Sequence, residues 1–267
     1  MKNLILGVDI GTSSVKVVIL NSLSGHIEHQ ESYSTSSAKI KSNNPKLDEQ
    51  DVKIILEIVN KAFDCLPPNL LKQIRAVQIC GQMHGVVLWN KSTRTHSNLI
   101  TWQDERCDEN FLKSLPVKSK SDLSSGFGCA SLFWLTKNNQ INPEFDSAGT
   151  IHDYLTFLLA GKNVMSDQNA LSWGFFDLHK NKWQDELFSI LELKCESFPG
   201  HLLPKTDKPG FKISDCVTLL NSVKLDAEIF NALGDLQASV LSCLEKQTDC
   251  GILVQKSKNA INTLIKE

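Results

Sequence analysis

The sequence predicts an α/β domain, and three observations carry that prediction. Two β-branched, apolar runs flank a short polar turn within Leu4–Leu20 and read as paired strands with a hairpin between them. A third run, His26–Tyr33, can lie beside them. A helical repeat beginning at Asp48 is then followed by another buried run, Ile74–Ile79. Strand, strand, strand, helix, strand in that order points away from a bundle or a sandwich.

The opening hairpin is unusual for the chemistry held at its tip. Asp9 ends a strand that otherwise looks buried, and a buried carboxylate is costly unless a cation or donor satisfies it. Gly11 allows close approach of the backbone to a ligand, and Thr12 and Ser13 add hydroxyls. Such a set suits a phosphate oxygen and a hydrated Mg²⁺; an ordinary Gly/Thr/Ser-rich turn explains the same residues. It is not a P-loop, because no Gly-Lys-Ser/Thr ending is present and a strand follows instead of a helix.

Ser34–Leu47 reads as a solvated loop. From Asp48, apolar residues at Val52, Ile55, Leu56, Val59, Ala62, Phe63 and Leu66 recur at helical spacing, closed by Pro67 and Pro68. The strand Ile74–Ile79 leads into Gly81-Gln82-Met83-His84-Gly85, a tight connection of the kind that meets ligands at the strand ends of an α/β sheet. Met83 as core filler and His84 as a turn histidine explain it equally well. Leu99–Trp102 runs into Gln103-Asp104-Glu105-Arg106, a strand end that offers a ring, an amide, carboxylates and a guanidinium to a polyhydroxylated ligand. The same acids also suit a solvated helix start.

Further on, Ser121–Ala130 reads as a glycine-punctuated loop before a helix Ser131–Lys137, and Gly149–Ile151 as a short strand. Asp153 is placed to cap a helix Tyr154–Leu159 that stops at Gly161. Met165–Leu178 suggests a short helix and a strand, and Trp183–Leu191 an amphipathic helix. The stretch to Phe230 is weakly patterned. At Gly234-Asp235 an acid enters a helix-compatible run, which capping alone would explain.

The totals narrow the function classes. The 267 residues are 41% hydrophobic and 22% charged, with 28 Lys and Arg against 30 Asp and Glu for a net charge of −2. This gives no basic face for nucleic acid or an anionic membrane, and no apolar run is long enough to span a bilayer. Asp9 interrupts the N-terminal apolar run, which argues against a signal peptide. The 8 cysteines form no CxxC pair and no zinc-finger spacing. They read as reduced core thiols of a cytoplasmic protein.

In combination, Asp-Ile-Gly-Thr-Ser-Ser at 9–14, Gly-Gln-Met-His-Gly at 81–85, Trp-Gln-Asp-Glu-Arg at 102–106, His-Asp-Tyr at 152–154 and Gly-Asp at 234–235 resemble the FGGY family of carbohydrate kinases. The longer blocks Leu99–Cys107, Gly126–Ala130, Ala148–Tyr154, Met165–Gly174 and Leu233–Val240 are similar to its sedoheptulokinase branch. The resemblance implies an actin-like, ribonuclease-H-like domain with a mixed β-sheet flanked by helices. It also implies ATP and Mg²⁺ as cofactors, and transfer of the γ-phosphate to the terminal hydroxyl of a ketose such as sedoheptulose, with xylulose as the variant.

By the same resemblance Asp235 is the general base and Asp9 acts through Mg²⁺, both holding the metal through water. Gly11, Thr12 and Ser13 face the phosphates. Met83 and His84 contact the ketose, joined by Trp102, Gln103, Asp104, Arg106, Asp153 and Gln237. The family continues into a second Gly-Thr-Ser loop and an adenine-binding domain, whereas Gly251–Glu267 holds no such loop. The expected organisation is therefore a sugar-binding domain over 1–249 and a divergent tail over 250–267, with weak or no turnover because half the ATP site is missing. A non-catalytic sugar-binding chain, or one paired with a subunit that supplies the nucleotide half, are the other readings. The sequence leaves the oligomeric state open.

Overall fold

The computed structural model describes residues 2–115, 123–184 and 200–243. The hairpin forms as expected: β1 (Leu4–Ile10) pairs antiparallel with β2 (Ser14–Asn21), Ile10 opposite Val15, and β3 (Ile27–Ser34) pairs antiparallel with β2. β4 (Glu49–Gln50) and helices α1 (Val52–Asp64) and α2 (Pro68–Leu71) then lead into β5 (Ile74–Gly81), which returns parallel to β1. β6 (Val87–Trp89) and β7 (Leu99–Ile100) follow, then α3 (Glu109–Ser114), α4 (Gly128–Lys137), β8 (Ser147–Gly149) and α5 (Ile151–Ala160). After these come β9 (Val164–Ser166), α6 (Asp167–Trp173), β10 (Phe176–Asp177) and β11 (Lys182–Trp183).

The weakly patterned region holds β12 (Lys205–Asp207), β13 (Lys212–Ser214), β14 (Val217–Thr218) and β15 (Lys224–Leu225). β16 (Glu228–Phe230) and β17 (Leu233–Gly234) both pair parallel with β5 and run into α7 (Asp235–Cys243). The main sheet is therefore mixed, in the order β13-β16-β5-β1-β2-β3, with β17 beside the far end of β5. Strands of two or three residues carry too few side chains to show a period, which is why this region reads as loop in the sequence.

One face of the sheet is packed by α1 and α5. Leu6, Val8, Ile10, Val15, Val17 and Ile19 meet Val52, Ile55, Val59 and Phe63 of α1 and Ile151 and Leu155 of α5 in one core. A second core gathers Val86 and Leu88 with Leu132, Phe133, Ala170 and Trp173 around α4 and α6.

Several element boundaries differ from the sequence reading. The first helix begins at Val52, where Asp51 accepts from the Lys53 and Ile54 amides. Asp48 and Glu49 precede it, and Glu49–Gln50 instead pairs with Leu99–Ile100. α4 starts at Gly128, within the stretch expected to be loop. The short strand is Ser147–Gly149, and the next helix opens at Ile151 with Thr150 as its cap. Asp153 is thus the third helical residue, closing a reciprocal capping box in place of capping alone. Trp183 is in a strand, and the rest of the expected helix Trp183–Leu191, beyond Gln184, lies outside the described residues. The tail over 250–267 lies outside them as well. Cys107 and Cys129 are buried, but Cys65 and Cys216 are exposed, so the core-thiol reading holds only in part. No helix among the described residues is long and apolar enough to cross a membrane.

Candidate active site

The site is built by register. Across the three parallel strands, Asp9 and Leu233 both pair with Cys80, and Ile10 and Gly234 both pair with Gly81. In β1 the even residues are buried against α1 and α5, so Asp9 points to the opposite face with Cys80. Asp235 follows immediately at the head of α7. The Cys80 thiol reports on the neighbourhood: burial, then the carboxylates of Asp9 and Asp235, push it up to about 12. Two acids from distant parts of the chain therefore act on one side chain at the end of the sheet. Lys16, opposite Asp9 on β2, holds its ammonium 3.7 Å from the Asp9 carboxylate.

The hairpin turn is tied to the rest of the site through Thr12. The Gly11 amide donates to the Ser14 carbonyl at 2.9 Å and closes the turn. The Thr12 hydroxyl donates to Gln82 Oε1 at 3.2 Å and accepts from the Trp102 indole at 2.9 Å. Gln82 Nε2 donates to Gln50 Oε1 at 2.9 Å, and Gln50 Nε2 donates back to the Thr12 carbonyl at 2.8 Å. The Thr35 hydroxyl reaches the same carbonyl at 2.7 Å. Ser13 is exposed. Fixing a turn with four side chains from distant parts of the chain costs loop entropy once, at folding, and leaves little to lose on ligand binding.

His84 sits at φ 71, in the left-handed region that few side chains enter. Its Nδ1 lies 2.7 Å from the Ser172 carbonyl and its ring stacks on Phe127 at 4.5 Å and 7°. A carbonyl can only accept, so Nδ1 carries the proton and Nε2 is left as the acceptor. Burial lowers the pKa of His84, against the Ser172 carbonyl and the Asp235 carboxylate, which raise it. Met83, its neighbour, is buried against the Asp235 turn. A Cβ at Gly234 would stand 2.7 Å from Met83 Cγ, 2.8 Å from Met83 Sδ and against Gln237 Oε1, so the glycine leaves room that Met83 and Gln237 would otherwise have to give up by shifting.

The cluster at 102–106 divides in two. Trp102 and Gln103 are exposed, Trp102 at 41%. Asp104 and Arg106 face inward: Arg106 Nε donates to Asp104 Oδ1 at 2.8 Å and Nη2 to Asp104 Oδ2 at 2.9 Å and to Glu49 Oε1 at 2.5 Å. The Asp48 amide donates to Asp104 Oδ2 at 2.8 Å. Both Asp104 oxygens are thus engaged by protein donors, and the buried pair anchors the turn that displays Trp102. A paired, bidentate arrangement is what makes such burial tolerable.

Asp153 is buried in the capping box, where the Thr150 amide and hydroxyl donate to Oδ2 at 3.1 and 2.6 Å. Burial raises its carboxyl to about 7, although its bonds to Thr150 and Asn169 pull the other way. An acid whose folded pKa lies above its unfolded value costs no stability below pH ~4. That cost grows as the pH rises to about 7, because the unfolded chain has released the proton while the folded one retains it. The wild-type chain should therefore lose a few kcal/mol of stability across this interval, and Asp153→Asn should flatten the profile, as read from denaturation midpoints at pH 4.5 to 8. Parallel profiles would disprove this.

The register brings Asp9, the Gly11–Ser13 turn, Met83, His84, Asp235 and Gln237 to one end of the sheet, with Trp102 joined through Thr12. Asp153, Asp104 and Arg106 lie behind them, committed to protein partners. The sequence reading quoted Gln82, Phe127 and Asn169 within family blocks but gave them no role, and it overlooked Gln50, because a glutamine in a two-residue strand leaves no pattern to find. Among the described residues no group of three or more His, Cys, Asp and Glu could hold a metal ion. A hydrated Mg²⁺ takes only one or two protein carboxylates when phosphate oxygens supply the rest, and Asp9 and Asp235 fit that need.

The N-terminal domain model of the FGGY family of carbohydrate kinases matches residues 4–242. The chain belongs to this family. Sedoheptulokinases of Mus musculus and Homo sapiens are each 37% identical to it over 94% of this chain and 57% of theirs. Xylulose kinase of Escherichia coli K12 is 27% identical over 76% of this chain and 45% of its own. This FGGY chain thus spans about half the length of the curated relatives it matches. Its fold recurs in the crystal structure of xylulose kinase from Rhodospirillum rubrum, with a TM-score of 0.75 at 20% identity over 89% of this chain and 51% of that one. The ligand-bound xylulose kinase from Lactobacillus acidophilus gives a TM-score of 0.70 at 21% identity, over 89% and 49%. These likenesses establish the actin-like, ribonuclease-H-like α/β domain with its mixed sheet.

Proposed function

We propose that this chain is the sugar-binding part of an ATP-dependent ketose kinase and that its ketose is sedoheptulose. The observation that carries the reading is the meeting of Asp9, Asp235 and the Gly11–Ser13 turn at one end of three parallel strands. Phosphoryl transfer asks the protein for positioning and charge neutralisation more than for covalent chemistry.

In this reading Asp235 takes the proton of the attacking terminal hydroxyl as the bond to phosphorus forms. Asp9 and Asp235 would hold a hydrated Mg²⁺, and the turn at Gly11, Thr12 and Ser13 would receive the β- and γ-phosphates. Mg²⁺, when bound, neutralises charge on the transferring phosphoryl group. His84 accepts a sugar hydroxyl at Nε2, since Nδ1 is committed to Ser172. Trp102 offers its face to the C–H side of the sugar, Gln103 and Gln237 offer amides, and Met83 closes the apolar edge. Asp104, Arg106 and Asp153 support these groups from behind. The proposed domain is 1–249.

The match to sedoheptulokinases at 37% identity favours sedoheptulose over xylulose. A chain that binds the sugar without turning it over is the second reading. A thermal-shift series decides the first point. Sedoheptulose at about 100 Kd should raise the melting temperature by roughly 5–10 °C, and xylulose at the same concentration should do less. Equal responses, or none, overturn the sedoheptulose assignment. A coupled ADP-release assay with Mg-ATP on the same chain separates the kinase from the sugar-binding reading.

A further inference from the structure

We propose that a one-residue β-bulge at Asn231–Ala232, clamped by Asn169 and Gln78, aims Asp235 at the Asp9 face of the sheet. Asn169 and Gln78 are on this view positioning residues for the base. The inference rests on the role proposed for Asp235 above.

The bulge is written in the register. Ile229 pairs with Val77 and Leu233 with Cys80, so four steps along β16 and β17 are matched by three along β5. Side chains alternate between faces at every step, and one extra residue exchanges the faces beyond it. Burial confirms the exchange. Ile229 and Ala232, three residues apart, both belong to the core under α1 and α5, whereas Leu233 lines the opposite face with Asp9 and Cys80. An unbulged strand would send Leu233 into the core and hand Asp235, two residues on, to the wrong face. Leu233 and Ala238, on either side of Asp235 in the chain, line one surface together with Asp9 and Cys80.

An extra residue in a parallel ladder leaves backbone groups without strand partners, and here side chains supply them. Gln78 Nε2 donates to the Asn231 carbonyl at 3.0 Å. Asn169 Nδ2 donates to the Ala232 carbonyl at 3.3 Å and lies 2.8 Å from His152 Nε2. Both Asn169 and His152 are fully buried. Asn169 is on α6 and Gln78 on β5, so the bulge is gripped from two independent elements.

The test uses the full chain and needs no turnover. In Asn169→Leu, which keeps the volume and loses the donor, amides 231–236 should exchange with deuterium about tenfold faster. The NMR signals of the Asp235 carboxyl should move, while those of Asp9 and the β1 amides stay in place. Gln78→Met removes the other grip and should produce the same local pattern, so it answers the question if Asn169→Leu does not fold. Unchanged Asp235 signals overturn the proposal, and so does a change spread evenly over the sheet, which would make both residues simple fold supports. Sedoheptulose binding to the wild-type chain, measured alongside, tests the functional reading separately, because the exchange experiment does not depend on the sugar.

Discussion

Asp235→Asn is expected to remove ATP-dependent ketose phosphorylation while sugar binding persists. The substitution keeps the size and hydrogen-bonding shape of the side chain at the head of α7 but takes away its ability to accept a proton. A positioned base contributes about 10²–10⁴ in rate, and the loss should fall on kcat and leave KM largely unchanged. The measurement is ADP release with sedoheptulose and xylulose, paired with ketose binding by calorimetry. Phosphorylation that survives the change would remove Asp235 from the mechanism proposed here. A wild-type chain that binds ketose and releases no ADP above background would favour the sugar-binding reading.

Gly126→Ala should have the largest effect on the folded site. Gly126 lies at φ +80, where a side chain costs about 1–2 kcal/mol. Its added Cβ would also meet the backbone of Trp102, 2.7 Å from the carbonyl carbon and 3.0 Å from Cα, besides the carbonyl oxygen. Backbone cannot step aside as a flexible side chain can, so relief requires moving Trp102 and with it the indole bond to Thr12. Overpacking of this kind costs a further ~1–3 kcal/mol. A drop in melting temperature on the order of 10 °C is expected. Ketose affinity should fall as well. Wild-type stability together with wild-type ketose affinity would show that the 102–106 turn does not depend on this contact.

Much of the fold was legible because long elements carry their period. The hairpin Leu4–Leu20, the third strand, the helix around Val52–Phe63 and the strand from Ile74 all expose enough alternation or helical spacing to be read directly. The family motifs likewise marked Asp9, Met83, His84 and Asp235 in the order they occupy. What failed to show was decided by partners distant in sequence. Asp48 and Glu49 look like the first turn of a helix until Thr101, Arg106 and Leu99–Ile100 are placed beside them.

The sequence alone therefore determined the fold class, the family and which residues are chemically able to act, because those follow from local pattern and from blocks of matching residues. Only the tertiary structure decided which of them share a face. It turned Asp104 and Arg106 toward each other, fixed the proton on Nδ1 of His84, and set Asp235 on the side of Asp9 by adding one residue to a strand. Side-chain direction in a sheet inverts at each step, so a single residue of register, invisible in any local window, decides where a carboxylate points.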